Sequence, residues 1–253
     1  MSDIDGATLT GNTKIAGVMG WPVSHSLSPR LHGYWLQHYG IDGAYIPLSV
    51  RPENVEQAIR ALPVLGFQGA NVTVPLKEAA YNMVDRADPM AEKLKAVNTI
   101  VVGPDGSLEG RNNDGYGFLE SLRAAHLGWR PGDGDAVVVG AGGAARSIVA
   151  ALLDAGVPRV RLVNRTADRA ERLASDLGAA GPGEIEILAW TDRDQCLADA
   201  GLLINATSLG MAGNPGLTLS LDLLPEAAAV VDIVYNPLET ALLAAARARG
   251  NPV

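Results

Sequence analysis

Val137-Val138-Val139-Gly140-Ala141-Gly142-Gly143-Ala144-Ala145 is the stretch on which the reading of the fold turns. Asp135–Val139 is a short apolar run that reads as a buried strand, and Gly143–Ala155 reads as a helix. Between them lies G-x-G-x-x-A. The first glycine permits a tight turn, the second lets backbone approach a pyrophosphate, and the small Ala145 lets helix and strand pack closely. The helix start offers unpaired N–H groups and a partial positive charge to an anion. Gly140, Ala141, Gly142, Gly143 and Ala144 are therefore candidate cofactor-binding residues. Alone, the motif also fits a tight strand-to-helix turn with no ligand.

The next strand, Arg159–Val163, sharpens the reading. In NAD-specific sheets its end usually carries an acid that bonds the ribose hydroxyls. Here the end reads Asn164-Arg165-Thr166, with Arg169 one turn on. Asn164 does not repel a ribose phosphate, and guanidinium groups bind phosphate bidentately and stay charged. The cluster points to NADP(H) rather than NAD. The alternative is that Arg165 and Arg169 form a solvated helix face.

Downstream, Ala167–Leu177 reads as a helix, and Ile185–Ala189, Leu202–Asn205 and Ala229–Val234 read as strands. Leu238–Arg249 is a terminal helix. Upstream the pattern is mixed. Ile15–Met19, Ala44–Val50, Gly69–Val74 and Val97–Val102 read as strands. Helices are expected from Ser28 to about Tyr39, from Pro52 to about Leu62 and over Lys77–Val84, with a turn at Pro104-Asp105-Gly106. Strands alternating with helices of this length imply parallel sheets and an α/β fold. The change of pattern near Asn112–Gly117 marks a domain boundary, and 253 residues suffice for two modest domains.

Composition narrows the function. A net charge of −8, with no Lys/Arg run longer than two residues, argues against a nucleic-acid partner. No run approaches the ~18 apolar residues of a membrane span. Met1–Asn12 lacks the apolar stretch of a signal peptide, so a cytoplasmic location is expected. The single cysteine, Cys196, cannot form an intrachain disulfide and reads as core filler, and the four scattered histidines have no metal-site spacing.

Four further clusters place polar residues at strand ends and helix starts: Ser24-His25-Ser26-Leu27-Ser28-Pro29, Asn71-Val72-Thr73-Val74-Pro75-Leu76-Lys77, Ala96-Val97-Asn98-Thr99 and Asn112-Asn113-Asp114-Gly115-Tyr116-Gly117. Two hydroxyls beside a helix start can hold a carboxylate. Each cluster also has a plain structural reading. Ser28 and Asp114 can cap helices, Asn98 can cap a turn, and Lys77 can be an exposed helix lysine.

Taken together, and with Asn205-Ala206-Thr207-Ser208-Leu209-Gly210-Met211 and Asp232-Ile233-Val234-Tyr235-Asn236-Pro237, these segments resemble the shikimate dehydrogenases. The ordered motifs run from about Ile15 to Gly250. The resemblance implies two α/β domains with the active site in a cleft between them, the second a Rossmann-type doubly wound parallel sheet. It implies NADP(H)-dependent interconversion of 3-dehydroshikimate and shikimate in aromatic amino acid biosynthesis. Ser26 and Ser28 would bind the substrate carboxylate, and Thr73, Asn98 and Tyr235 would line the pocket with Asn71 nearby. Lys77 and Asp114 would be the catalytic pair. Gly140 to Ala144 would hold the pyrophosphate, Asn164, Arg165, Thr166 and Arg169 the adenosine phosphate, and Ile233 would lie beside the nicotinamide. Residues 1–113 would form the substrate domain, joined by the C-terminal helix within 236–253, and 114–235 the NADP-binding domain. The family includes monomers and dimers, which leaves a homodimer open.

Two departures stand out. Asn113 replaces a more usual Thr, a small polar change expected to matter little. Family members usually continue past the position of Gly250 with D-G-x-x-M-L, a glutamine that touches substrate and a further helix. The sequence ends at Val253, as a truncated chain or a shortened variant would; if truncated, the cleft loses part of its wall and a lower substrate affinity is expected. Two rival readings remain, an NAD-dependent quinate/shikimate dehydrogenase and a non-catalytic ligand-binding protein on the same scaffold.

Overall fold

The structure, a computed structural model, describes residues 9–125, 128–178 and 183–253. The chain divides into two compact units, Met1–Asn113 and Asp114–Val253.

The first unit contains β1 (Lys14–Gly20), α1 (Ser28–His38), β2 (Gly43–Ser49), α2 (Val55–Val64), β3 (Phe67–Val72), α3 (Lys77–Tyr81), β4 (Arg86–Ala87), α4 (Pro89–Leu94), β5 (Thr99–Val102) and β6 (Leu108–Arg111). Its six strands pair in the order β2-β1-β3-β5-β6-β4. β1 runs parallel to β2 and β3, but β5 is antiparallel to both β3 and β6. The sheet is thus mixed rather than parallel. For β5 and β6 the reason is the Pro104-Asp105-Gly106 turn: Gly103 N–H donates to Ser107 O at 2.7 Å, closing a hairpin. A turn this short can join only antiparallel strands. α2 places Val55, Ile59 and Leu62 into a core with Met19, Val72, Leu76, Ile100 and Leu108. α4, not foreseen from the sequence, is capped by the Asp88 carboxylate, which accepts from Ala91 N–H at 2.6 Å.

The second unit contains α5 (Asp114–Ala124), β7 (Asp135–Val139), α6 (Gly143–Asp154), β8 (Arg159–Val163), α7 (Ala167–Leu177), β9 (Glu184–Leu188), β10 (Ala200–Asn205), β11 (Ala229–Asp232) and α8 (Ala241–Arg249). Its five strands are all parallel, in the order β11-β10-β7-β8-β9. Every residue of β7 is buried, as expected of a parallel strand covered on both faces. The order reverses between β7 and β10, the switch point where α/β sheets open a crevice beyond the strand carboxyl ends. α5 meets α6 closely because Gly115 has no side chain. A Cβ there would lie 2.7 Å from the Ser147 carbonyl oxygen and 2.8 Å from Ala151 Cβ.

α8 departs from expectation. It was expected to join the first domain, yet it belongs to the second unit. Leu242 and Ala246 are buried in one core cluster with Leu197, Leu224 and Val230. The residues after the helix are tied to the same sheet. Val230 N–H donates to Pro252 O at 2.8 Å, and Asn251 Nδ2 donates to the carbonyls of Pro225 and Ala228 at 2.8 and 3.0 Å. Cys196, expected in the core, is buried there. Its Sγ lies 2.9 Å from the Arg193 carbonyl oxygen, and burial pushes the thiol up to about 11.

Candidate active site

At the switch point, Gly140 directly follows β7 with φ +115°, a backbone region that disfavours any side chain. A Cβ would also lie 2.8 Å from Thr207 Cγ2 and 3.0 Å from Ala206 O, so the turn packs flat against the segment leaving β10. Gly142 and Gly143 are different, since a Cβ at either would meet nothing within 4 Å. α6 starts there with Gly142 as its cap and no side-chain cap bond. The result is an open, electropositive helix start with room for backbone to meet a ligand, which fits a dinucleotide pyrophosphate.

The neighbouring turn fits the adenosine end. Asn164 Nδ2 donates to Thr166 O at 2.8 Å and shapes the turn. Thr166 caps α7 without a side-chain bond, leaving its hydroxyl available. Arg165 and Arg169 are exposed, and among the described residues neither has a carboxylate partner. Arg146, by contrast, pairs with Asp176 at 2.6 Å and belongs to the helix packing.

Beyond β10 and β11 lies a partly buried polar network that the sequence does not mark by role. Asn205, fully buried, accepts at Oδ1 from Thr207 N–H (3.1 Å) and Thr207 O–H (2.7 Å). Its Nδ2 donates to Leu209 O and Asp232 Oδ1, both at 3.0 Å. Asp232 also accepts from Val234 N–H (2.9 Å) and the Thr240 hydroxyl (2.8 Å). Thr240 in turn caps α8. This network frames Ile233, whose N–H donates to Asn205 O at 3.1 Å. Tyr235 follows in the same segment and is exposed.

In the first unit, Ser26, Ser28, Thr73, Lys77 and Asn98 come from segments that meet at one end of the sheet. Ser26 and Ser28 follow β1, Thr73 and Lys77 follow β3, and Asn98 precedes β5. Thr73 N–H donates to Met19 O at 2.8 Å, and Gly20 leaves space for Thr73, since a Cβ there would lie 2.5 Å from Thr73 Cγ2. Ser28 does not cap α1, as the plain reading had it. Leu27 holds that position, Ser28 opens the helix, and Ser26 Oγ accepts from Ser28 N–H at 3.3 Å. Lys77 heads α3, and its carbonyl accepts from Val97 N–H at 2.9 Å, which ties the lysine's backbone to the Asn98 segment.

Asn71 supports the wall of this site. Its Oδ1 accepts from Tyr45 O–H at 2.6 Å, and its Nδ2 donates to Thr99 Oγ1 at 3.1 Å. Thr99 O–H donates to Asn98 Oδ1 at 2.9 Å, and that oxygen also accepts from Asn113 N–H at 3.1 Å. The bond from position 113 is made by backbone, which explains why Asn can stand there for Thr. Asp114 comes next and opens α5.

Burial pushes the Tyr45 phenol up to about 12, so it remains a neutral donor to Asn71. His32 stacks on Tyr45, with ring centroids 3.9 Å apart and planes at 4°, and burial lowers its imidazole below the ordinary value. As pH falls below about 6.5, the unfolded chain binds a proton at this histidine that the folded one resists, so stability is lost. The melting temperature is expected to fall less between about pH 7.5 and 5.5 in His32→Phe, which keeps a stacked ring but cannot titrate. Equal slopes in wild type and variant would exclude the effect.

A parallel sheet with an open glycine turn at its switch point, exposed arginines with no carboxylate partner among the described residues at the next turn, and a separate α/β unit bearing a polar cluster that includes a lysine define the class of two-unit dinucleotide-dependent oxidoreductases. Comparison with known proteins makes the assignment specific. Residues 18–100 match the family described as "Shikimate dehydrogenase substrate binding domain", and residues 128–212 match "Shikimate / quinate 5-dehydrogenase". A shikimate dehydrogenase (NADP(+)) from Paramagnetospirillum magneticum is 57% identical over 245 residues, covering 97% of this chain and 87% of that protein. A shikimate dehydrogenase crystallised with NADP+ superposes with a TM-score of 0.88 at 33% identity, covering 97% of this chain and 85% of the other. The Thermus thermophilus enzyme, crystallised with NADP(H) and shikimate, gives 0.81 at 38% identity, covering 94% and 85%. The chain belongs to the shikimate dehydrogenase family. Neither the NAD-dependent quinate reading nor the non-catalytic one is favoured by these relatives.

Proposed function

We propose that the chain catalyses the reversible NADPH-dependent reduction of 3-dehydroshikimate to shikimate, a step of aromatic amino acid biosynthesis. The observation that carries this reading is the placement of Lys77 at the head of α3, at the same sheet end as Ser26, Ser28, Thr73 and Asn98. Bound NADPH would supply a hydride to the ketone carbon. The chain's own groups do the rest. Ser26 and Ser28 hold the substrate carboxylate, while Thr73 and Asn98 bond its remaining polar groups. The Lys77 ammonium stabilises negative charge growing on the carbonyl oxygen and delivers a proton to it. Asp114, the other member of the catalytic pair, accepts from a substrate hydroxyl. Gly140 to Ala144 hold the pyrophosphate, Asn164, Arg165, Thr166 and Arg169 the adenosine phosphate, and Ile233 lies beside the nicotinamide.

No helix among the described residues is long and apolar enough to cross a membrane. A cytoplasmic enzyme acting on a small-molecule substrate is the setting we infer. Light scattering against a chain mass of 26.3 kDa tests whether it forms a homodimer. The experiment for the activity is spectrophotometric oxidation of shikimate with NADP and NAD side by side. Turnover with NADP and little with NAD is the expected result, whereas turnover with NAD alone would overturn the cofactor assignment.

A further inference from the structure

We propose that Asp232 and Asn205 are positioning residues that fix the nicotinamide half of the cofactor crevice, leaving the adenosine half independent of them. The inference rests on the reading that NADP(H) occupies the carboxyl edge of the second sheet. A doubly wound sheet receives a dinucleotide in two mononucleotide halves. Here β7 and β8 carry the glycine turn and the Asn164–Arg169 cluster, so the adenosine half lies there and the nicotinamide half lies over β10 and β11.

Asn205 and Asp232 are the last residues of those two strands and face each other in register. Their side chains hold backbone on both following segments. Asn205 binds Thr207 N–H and Leu209 O on one, and Asp232 binds Val234 N–H and the Thr240 hydroxyl on the other. The bond between Asn205 Nδ2 and Asp232 Oδ1 joins the two halves of this latch. Thr207 is locked further by donating to Asn205 and accepting from Leu209 N–H at 3.0 Å. That residue packs against the flat face of Gly140, so the latch sets one wall of the crevice at its centre. A buried amide and a carboxylate with all these partners admit one arrangement of both segments. Removing the carboxylate leaves the Asn205 amide, the Val234 N–H and the Thr240 hydroxyl to find new acceptors.

The test separates the two halves with 2′,5′-ADP, which carries the adenosine phosphate but no nicotinamide. In Asp232→Ala, the KM for NADP is expected to rise about tenfold, the scale of losing a hydrogen bond to a charged group. The inhibition constant of 2′,5′-ADP should stay unchanged. Asp232→Asn keeps an acceptor for Asn205 and Val234 and can donate to Thr240, so it should restore the KM. Should Asp232→Ala prove insoluble, Thr207→Val must show the same split at smaller amplitude. A purely structural role would lower the melting temperature and the active fraction and leave both constants unmoved, which would overturn the proposal. A parallel rise in both constants would overturn it as well. Gly142→Val is the control for the underlying reading, since it should weaken NADP and 2′,5′-ADP together. If it alters neither, the crevice assignment itself fails, and the proposal falls with it.

Discussion

Replacing Lys77 with alanine is expected to lower the turnover number for ketone reduction by ~10²–10⁴, the range for losing general acid–base help, while leaving the KM for 3-dehydroshikimate near its wild-type value. The split follows from where the charge is. The ketone oxygen is neutral in the bound substrate and gathers negative charge only as hydride arrives. An ammonium aimed at it is therefore worth far more in the transition state than in the ground state. Loss of such an interaction lowers kcat and kcat/KM together. The fold should survive the change, because α3 is anchored by Leu76 and Ala80, both essentially buried, and by the Lys77 backbone carbonyl. Steady-state kinetics beside a melting curve would settle the matter. A folded variant with wild-type turnover would remove Lys77 from the chemistry, and a large rise in KM with unchanged kcat would make it a binding residue instead.

The second unit was the more legible half of the molecule. Its strands are short apolar runs that alternate with well-patterned helices, and the glycine turn orients the first strand–helix pair. The order of β7 to β11 then follows from ordinary doubly wound topology. The first unit was harder to read because its sheet is mixed. β6, Leu108-Glu109-Gly110-Arg111, buries Leu108 and Gly110 but has too little apolar pattern to declare itself. β4 is a two-residue strand. For α8, Leu242 and Ala246 announce a helix that packs on something, but which sheet it packs on is settled by Thr240, Asn251 and Pro252, residues with no periodic signal. The Asn205–Asp232 bond joins positions 27 apart in sequence. Both residues sat in motifs that were legible as family marks, yet a hydrogen bond between them requires β10 and β11 to be neighbours in register, which local patterning does not encode. Ser26 and Ser28 illustrate a finer limit. Both were selected from sequence, but whether Ser28 caps α1 or opens it depends on a one-residue shift that propensity does not resolve.

Replacing Arg165 with alanine is expected to raise the KM for NADP about tenfold to a hundredfold and to leave the KM for NAD nearly unchanged, the range for losing charge-assisted hydrogen bonds to a phosphate. The two cofactors differ only in the ribose phosphate, so an arginine that binds it contributes to one and not the other. Arg165 is suited to the task because it is exposed at the turn after β8 and has no carboxylate to satisfy among the described residues. Arg169 lies nearby on α7, its N–H donating to Thr166 O at 3.2 Å, so the single variant should retain part of the phosphate site and the double variant should lose most of it. The effect should also shrink at high salt, because these groups are at the surface and their attraction is screened. Asn164→Asp tests the same site in the opposite direction. A carboxylate at the end of β8 would repel the phosphate and offer an acceptor to a free ribose hydroxyl, moving preference toward NAD. If Arg165→Ala instead raised both constants equally, its role would lie in shaping the turn that both cofactors share. NADP preference would then have to come from Thr166 and Arg169.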